Sequence, residues 1–163
     1  MGEFIWADWQ FILSICAFFG HRDTPMSNSI ENHLSQVVRD LIIYHQAREF
    51  WLCEQGTFDC LSRLVMKELK KEFEYINLCI FPAYYPNNAK LDWMYDNDYD
   101  LIYPEEMSKA PPQVAILRRN EYIAKNADYI VCYINRKSGG AYKAVEIARK
   151  NGKKIINLAE YIG

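Results

Sequence analysis

The sequence contains no Cys-x-x-Cys pair, and its five cysteines, Cys16, Cys53, Cys60, Cys79 and Cys132, follow no metal-ligand rhythm. The common zinc and dithiol frameworks are thereby excluded. Cys16, Cys53, Cys79 and Cys132 sit inside or beside apolar, strand-like runs, where a reduced cysteine acts as a small hydrophobe. Free thiols of this kind imply a cytosolic protein. His21, His33 and His45 are too scattered for a zinc site, so neither a metal nor any other cofactor is expected. No lysine or arginine precedes Arg22, Glu3 and Asp8 stand before the apolar run "FILSICAFF", and no small-residue cleavage pattern follows it. The run therefore does not read as a signal sequence, and it is too short to span a bilayer, so no membrane partner is expected. No segment has the composition of a linker or a disordered tail.

What is present suits one globular domain over residues 1–163, with half of its residues apolar and a quarter charged. Residues 1–12, aromatic and acidic, form an N-terminal extension to it. The net charge of -2 conceals a split: Met1 to Glu106 holds 8 basic and 17 acidic residues, and Met107 to Gly163 holds 11 basic and 4 acidic. An anionic ligand belongs with the C-terminal third, although solvated helix faces produce the same bias.

Apolar runs of strand length alternate with helical patterns. The strands are expected at Leu13 to Phe19, Phe50 to Cys53, Leu78 to Phe81, Tyr129 to Ile134 and Lys154 to Leu158. Ile30, Leu34, Val37, Val38, Leu41 and Ile42 have helical spacing, with Asn28 and Glu31 placed as a capping box. A second helix is expected to start at Asp59, with Leu61, Leu64, Val65, Leu69 and Phe73 on one face. A third runs from near Pro112 to about Asn126, and a fourth from about Gly140 to Asn151, stopped by Gly152. Strands apolar throughout, alternating with amphipathic helices, predict a doubly wound, Rossmann-like α/β fold. Its mainly parallel sheet would have about five strands, with helices on both faces.

In such a fold, ligands bind beyond the carboxyl ends of the strands, where the strand order reverses. Three loops leave strands for that edge: "GHRDTP" from Gly20, "EQGTFD" from Glu54 and "NRKSGGAY" from Asn135. Gly139 and Gly140 allow close backbone approach, and free amides at the helix start favour phosphate, with Arg136, Lys137 and Lys143 beside them. Tight turns use paired glycines too. Arg22 can meet a phosphate bidentately, and His21 can bond a sugar or base. Asp59 has the position of an N-cap, a structural role as well supported as ligand contact. On the third helix, Leu117, Tyr122 and Ile123 define the buried side, so that one of Arg118 and Arg119 can face the crevice. Residues 83–111 are long for a plain connection and read as a solvated flap or a ligand lid, in which "YDLIYP" could be a small element.

Taken in this order, "FFGHRDTP", "QGTFDCLSRLVMKELKK", "RRNEYIAKNADYIVCYI" and "SGGAYKAVEIARKNGKKIINL" resemble the SLOG superfamily, named for the SMF/DprA and LOG proteins, and most closely its small YpsA-like branch. The resemblance covers most of the chain from about Leu13 to Leu158. It implies a Rossmann-like domain that binds nucleotides or nucleotide-derived molecules, often as a homo-oligomer. LOG proteins are phosphoribohydrolases that cleave the N-glycosidic bond of a nucleoside monophosphate. By that resemblance Arg119 and Glu146 take the positions of their catalytic arginine and glutamate, and Gly139 and Gly140 match the first glycines of their loop. The chain departs from the pattern at Tyr142 and Lys143, where LOG enzymes have glycine and threonine. It departs again at Cys53, where the YpsA-like pattern has glycine, with Glu54 beside it.

These readings together favour binding, sensing or sequestration of a nucleotide-derived small molecule, such as a signalling nucleotide related to ADP-ribose. The expected contacts are Gly20, His21, Arg22, Gly56, Thr57, Phe58, Asp59, Arg119, Ser138, Gly139, Gly140, Ala141, Tyr142 and Glu146, with Tyr142 or Phe58 stacking on a base. The alternative is a LOG-like phosphoribohydrolase using Arg119 and Glu146. Single-stranded DNA binding is disfavoured by overall acidity and by the lack of a continuous basic, aromatic groove.

Overall fold

The computed structural model describes residues 13–85 and 98–162. In chain order these form β1 (Ser14–Gly20), α1 (Asn28–Tyr44), β2 (Ala47–Leu52), α2 (Thr57–Glu72), β3 (Asn77–Ile80), β4 (Tyr99–Leu101), α3 (Glu105–Ser108), α4 (Ala115–Asn126), β5 (Tyr129–Tyr133), α5 (Gly140–Lys150) and β6 (Lys154–Asn157). Single 3-10 turns at Pro112–Val114 and Leu158–Glu160 precede α4 and follow β6. The sheet has six strands in the order β4-β3-β2-β1-β5-β6, and every neighbouring pair is parallel. Successive strands step outward from β1 to β4, and the chain then returns to the other side of β1 with β5. The order therefore reverses between β1 and β5, which opens a crevice at their carboxyl ends.

Both faces of the sheet are covered, which is why its strands are apolar throughout. Cys16 and Phe18 of β1 join Phe50, Val131 and the inner faces of α1 and α2 in one cluster. Ala17 and Phe19 turn to the opposite face with Trp51, Ile130, Cys132 and residues of α4 and α5. Side chains alternate across a strand, so continuous burial requires two layers of helices. Cys16, Cys53, Cys79 and Cys132 are buried within these layers, and all five cysteines are free. Among the described residues, no helix is long and apolar enough to cross a membrane.

The structure corrects the sequence expectations at several places. The sixth strand, β4, lies in "YDLIYP"; it has three residues and buries only Tyr99, too little to form an apolar run of its own. The N-cap of α1 is Ser27, not Asn28: its Oγ accepts from the Ile30 amide at 3.1 Å, which leaves Glu31 one position too late to close a capping box. The α2 helix starts at Thr57, two residues before Asp59, with Gly56 as its N-cap. Leu64 and Leu117 are 49% and 43% exposed, so neither belongs to its helix's buried face. In α4 that face carries Ala115, Arg119, Asn120, Ile123 and Ala124 instead. Of residues 83–111, read as a solvated flap or a ligand lid, 86–97 lie outside the described residues, as does the extension at 1–12.

One close contact fixes the junction of β1 and α2. A Cβ added to Gly20 would stand 2.2 Å from Cγ of Phe58, a side chain that is fully buried. The Phe58 ring occupies the space that any other residue at position 20 would need. Gly20→Ala should therefore lower stability by about 1–3 kcal/mol, the usual range for overpacking, read as a fall in the urea midpoint at unchanged slope. An unchanged midpoint would mean that Phe58 can move aside.

Candidate functional site

A cavity of about 290 Å³ opens at the β1/β5 reversal, lined by the ends of β1 and β2, the loop after β5 and the first two turns of α4. Its volume is at the lower end of the range of small-ligand sites. Gly20, His21 and Arg22 come from the end of β1, and Gln55 and Asp59 from the loop and helix after β2. Arg119 and Asn120 come from α4, and Arg136, Gly139, Gly140 and Ala141 from the loop into α5.

Local hydrogen bonds hold these segments together. The Arg22 carbonyl accepts from the Thr57 amide at 3.0 Å and from Thr57 Oγ1 at 2.7 Å, so Thr57 ties the β1 loop to the start of α2. Gly56 has φ of +95°, and a Cβ there would stand 2.6 Å from Cα of Arg22, so the crossing of these two loops needs glycine. Thr24 is buried and donates through Oγ1 to the His21 carbonyl at 2.6 Å, closing the β1 loop on itself. At the mouth, Arg136 donates to both oxygens of Asp23 at 2.9 and 3.3 Å, joining the loops after β1 and β5. This exposed pair holds the Asp23 carboxyl below the usual carboxylate range, chiefly through its hydrogen bond from Arg136.

Four polar side chains in the cavity wall are almost fully removed from water: His21, Asp59, Arg119 and Asn120, at 4%, 6%, 3% and 6% exposure. Arg119 spends two of its donors on Oδ1 of Asn120, from Nε at 3.2 Å and Nη2 at 3.1 Å. Its Nη1 and the Nε2 of His21 are buried and have no hydrogen-bond partner among the described residues. A buried polar atom without a partner costs about 1–3 kcal/mol.

The electrostatics differ from wall to wall. Burial, and then the positive charge of Arg136, hold the His21 imidazole below its ordinary pKa, so the ring is neutral at neutral pH. Asp59 turns inward and accepts the Gln55 amide at 2.7 Å through Oδ2. Burial raises its pKa from 3.8 to about 6, against the lowering influence of the Arg119 charge. Cys53, beside it, is pushed up to about 12 by burial and is an inert thiol at neutral pH.

The structure brings together Gly20, His21, Arg22, Asp59, Arg119, Gly139, Gly140 and Ala141 from the expected contacts. Asp59 is not the N-cap of α2; its side chain reaches back to the preceding loop, which places its carboxylate in the cavity wall. Phe58 is fully buried behind Gly20 and has no face free for a base. Gly56 and Thr57 support the β1 loop rather than line the cavity, and Ser138 and Tyr142 are also outside its lining. Glu146 likewise lies outside it and accepts from Nε of Arg149 at 3.3 Å. Sequence reasoning missed Gln55 and Asn120. Asn120 had a signal, a polar residue on an amphipathic helix; Gln55 had only its place in the "EQGTFD" loop, and its backbone amide bonds Asp59.

The sequence matches no family model, and no curated protein is similar to it. Among solved structures, it is similar to DNA processing protein A from Helicobacter pylori, a structure described for its single-stranded DNA binding mode. The TM-score is 0.59 at 14% identity, and the match covers 91% of this chain and 66% of that one. The similarity is one of fold. The α/β fold expected from the sequence is the fold observed.

The raised pKa of Asp59 has a consequence for stability. Between pH ~4 and ~6 the folded chain binds more protons at this site than the unfolded chain does, so stability falls as pH rises through that window. The rise from 3.8 to about 6 corresponds to about 3 kcal/mol in total. Asp59→Asn keeps an acceptor for the Gln55 amide and has no charge to bury. Urea unfolding of both proteins across this range should show the Asp59-dependent loss in the parent and its absence in the variant. Parallel pH profiles would show that the carboxylate is not desolvated.

Proposed function

We propose that the chain is a SLOG protein of the YpsA-like branch that binds a nucleotide-derived small molecule in this cavity, to sense or sequester it. The observation that carries the reading is the Arg119 guanidinium, 3% exposed in the cavity wall, whose Nη1 has no partner among the described residues. A folded chain places a cation there at substantial cost unless a ligand completes its hydrogen bonding. Gly139 and Gly140, at the start of α5, add backbone amides and the positive end of a helix, with Arg22 and Arg136 at the mouth. Together they suit a phosphorylated ligand. The free thiols and the superfamily resemblance favour a cytoplasmic homo-oligomer as the setting.

Two other readings each have one observation in their favour. A LOG-like phosphoribohydrolase is favoured by the sequence positions of Arg119 and Glu146, but Glu146 is engaged by Arg149 outside the cavity lining. Single-stranded DNA binding is favoured by the fold shared with a protein described for that property.

Isothermal titration with adenosine monophosphate, ADP-ribose and an oligo(dT) separates them. The proposal expects saturable binding of at least one nucleotide, weakened roughly 10- to 100-fold by Arg119→Gln, the usual worth of a hydrogen bond to a charged group. Exclusive binding of the oligonucleotide, falling steeply with salt, would replace it with the DNA reading. Release of free base from nucleoside monophosphates, abolished by Glu146→Gln, would replace it with the hydrolase.

A further inference from the structure

The deep wall of the cavity is electrically balanced, unlike its mouth. The wall sets a carboxyl, Asp59, beside a guanidinium, Arg119, with the uncharged amide of Asn120, and burial disfavours a charge on His21. Arg63, from α2, donates to the Cys53 carbonyl at 2.6 Å behind this wall. A phosphate pressed against it would meet the Asp59 carboxylate, and a phosphate dianion offers only acceptors. A hydroxyl both donates and accepts, so one hydroxyl satisfies a guanidinium N–H and a carboxylate oxygen together. The Gln55 amide uses one acceptor position of Asp59, and a carboxylate has about four.

The cavity also lacks what a base would need. Phe19, the aromatic residue in its lining, is 4% exposed, and Phe58 is sealed behind Gly20, so among the described residues no lining ring is presented for stacking. The phosphate-favouring groups, Gly139, Gly140, Arg22 and Arg136, are all exposed, toward the mouth. A volume of about 290 Å³ suits a ribosyl phosphate better than a whole dinucleotide.

We infer that Asp59 and Arg119 together read the vicinal hydroxyls of a ribose, with the phosphate held at the start of α5, so that the site selects ribosyl phosphates over their deoxy counterparts. This rests on the nucleotide-binding reading above and adds to it an orientation and a selectivity. Asp59 is then a specificity-determining residue: its carboxylate is left without a hydroxyl donor when the sugar lacks one, and a site built to bond a hydroxyl rejects the analogue without it.

Titration of the full chain with ribose 5-phosphate, 2-deoxyribose 5-phosphate, adenosine monophosphate and 2′-deoxyadenosine monophosphate tests this without any variant. The expected result is a preference of about tenfold or more for each ribo compound, shrinking toward equality in Asp59→Asn while phosphate-dependent affinity persists. Equal affinity for ribo and deoxy ligands overturns the inference and leaves the nucleotide reading standing. Binding of none of the four, with the adenosine monophosphate and ADP-ribose titrations also blank, overturns both. A preference that survives intact in Asp59→Asn transfers selectivity to other residues and overturns the role of Asp59.

Discussion

The cavity depends on one contact, the Phe58 ring packed where Gly20 has no side chain. Burying that ring draws the first turn of α2 onto the end of β1. The neighbouring residue, Asp59, is thereby carried into the cavity wall although its carboxylate would be better solvated outside. Its desolvation is offset only in part by the Gln55 amide and the nearby charge of Arg119. The apolar energy of one aromatic side chain, on the order of 2 kcal/mol or more, therefore helps hold a polar group in an unfavourable place, as functional sites commonly require.

The same junction holds the loop after β1 in the arrangement that places His21 in the cavity wall. Its carbonyls are taken up by Thr24 and Thr57, and Arg22 lies against Gly56. What remains for a ligand are the side chains. Arg22 is exposed, and Arg136 is committed to Asp23 through an exposed pair that contributes little net stability. An anion arriving at the mouth competes with Asp23 for Arg136 at small cost. The buried groups are tied within the wall, Arg119 to Asn120 and Asp59 to the Gln55 amide, so in the proposed reading they orient a ligand and the mouth steers its approach.

Much of the fold was legible because its signals are local. Cys16 to Phe19 are apolar without a break, which already demands two covering layers, and Gly140 with Gly152 brackets α5 in one dimension. The boundaries that moved did so for reasons of tertiary contact. Asp59 looks like an N-cap by spacing, but the helix begins earlier because the Arg22 carbonyl binds Thr57. The strand β4 exists because β3 offers an edge to pair with, not because its own three residues favour it. In the candidate site, glycines and charges in loops after strands were readable as a group. Periodicity left open which of Arg118 and Arg119 turns inward, since Leu117 misplaces the rotation of α4, whereas the family resemblance pointed to Arg119, the one that lines the cavity. Arg118 pairs with Glu121 at the surface, and Arg119 is buried with Asn120.

The position of Glu146 bears on whether this site needs chemistry at all. Hydrolysis of an N-glycosidic bond asks for a carboxylate placed to activate water or to steady an oxocarbenium-like sugar. Glu146, the residue that the LOG resemblance assigns to that task, bonds Arg149 instead, whereas the carboxylate that lines the cavity belongs to Asp59. Asp59 shares its wall with Arg119, whose charge favours the ionised form that a hydroxyl-bonding acceptor needs. The departures at Tyr142 and Lys143 act in the same direction, since bulkier residues follow the two glycines where LOG enzymes keep a tighter phosphate cradle. If Asp59 and Arg119 hold a sugar through its hydroxyls, as proposed, they stabilise the bound ground state, and stabilising it as much as the transition state lowers KM without raising kcat.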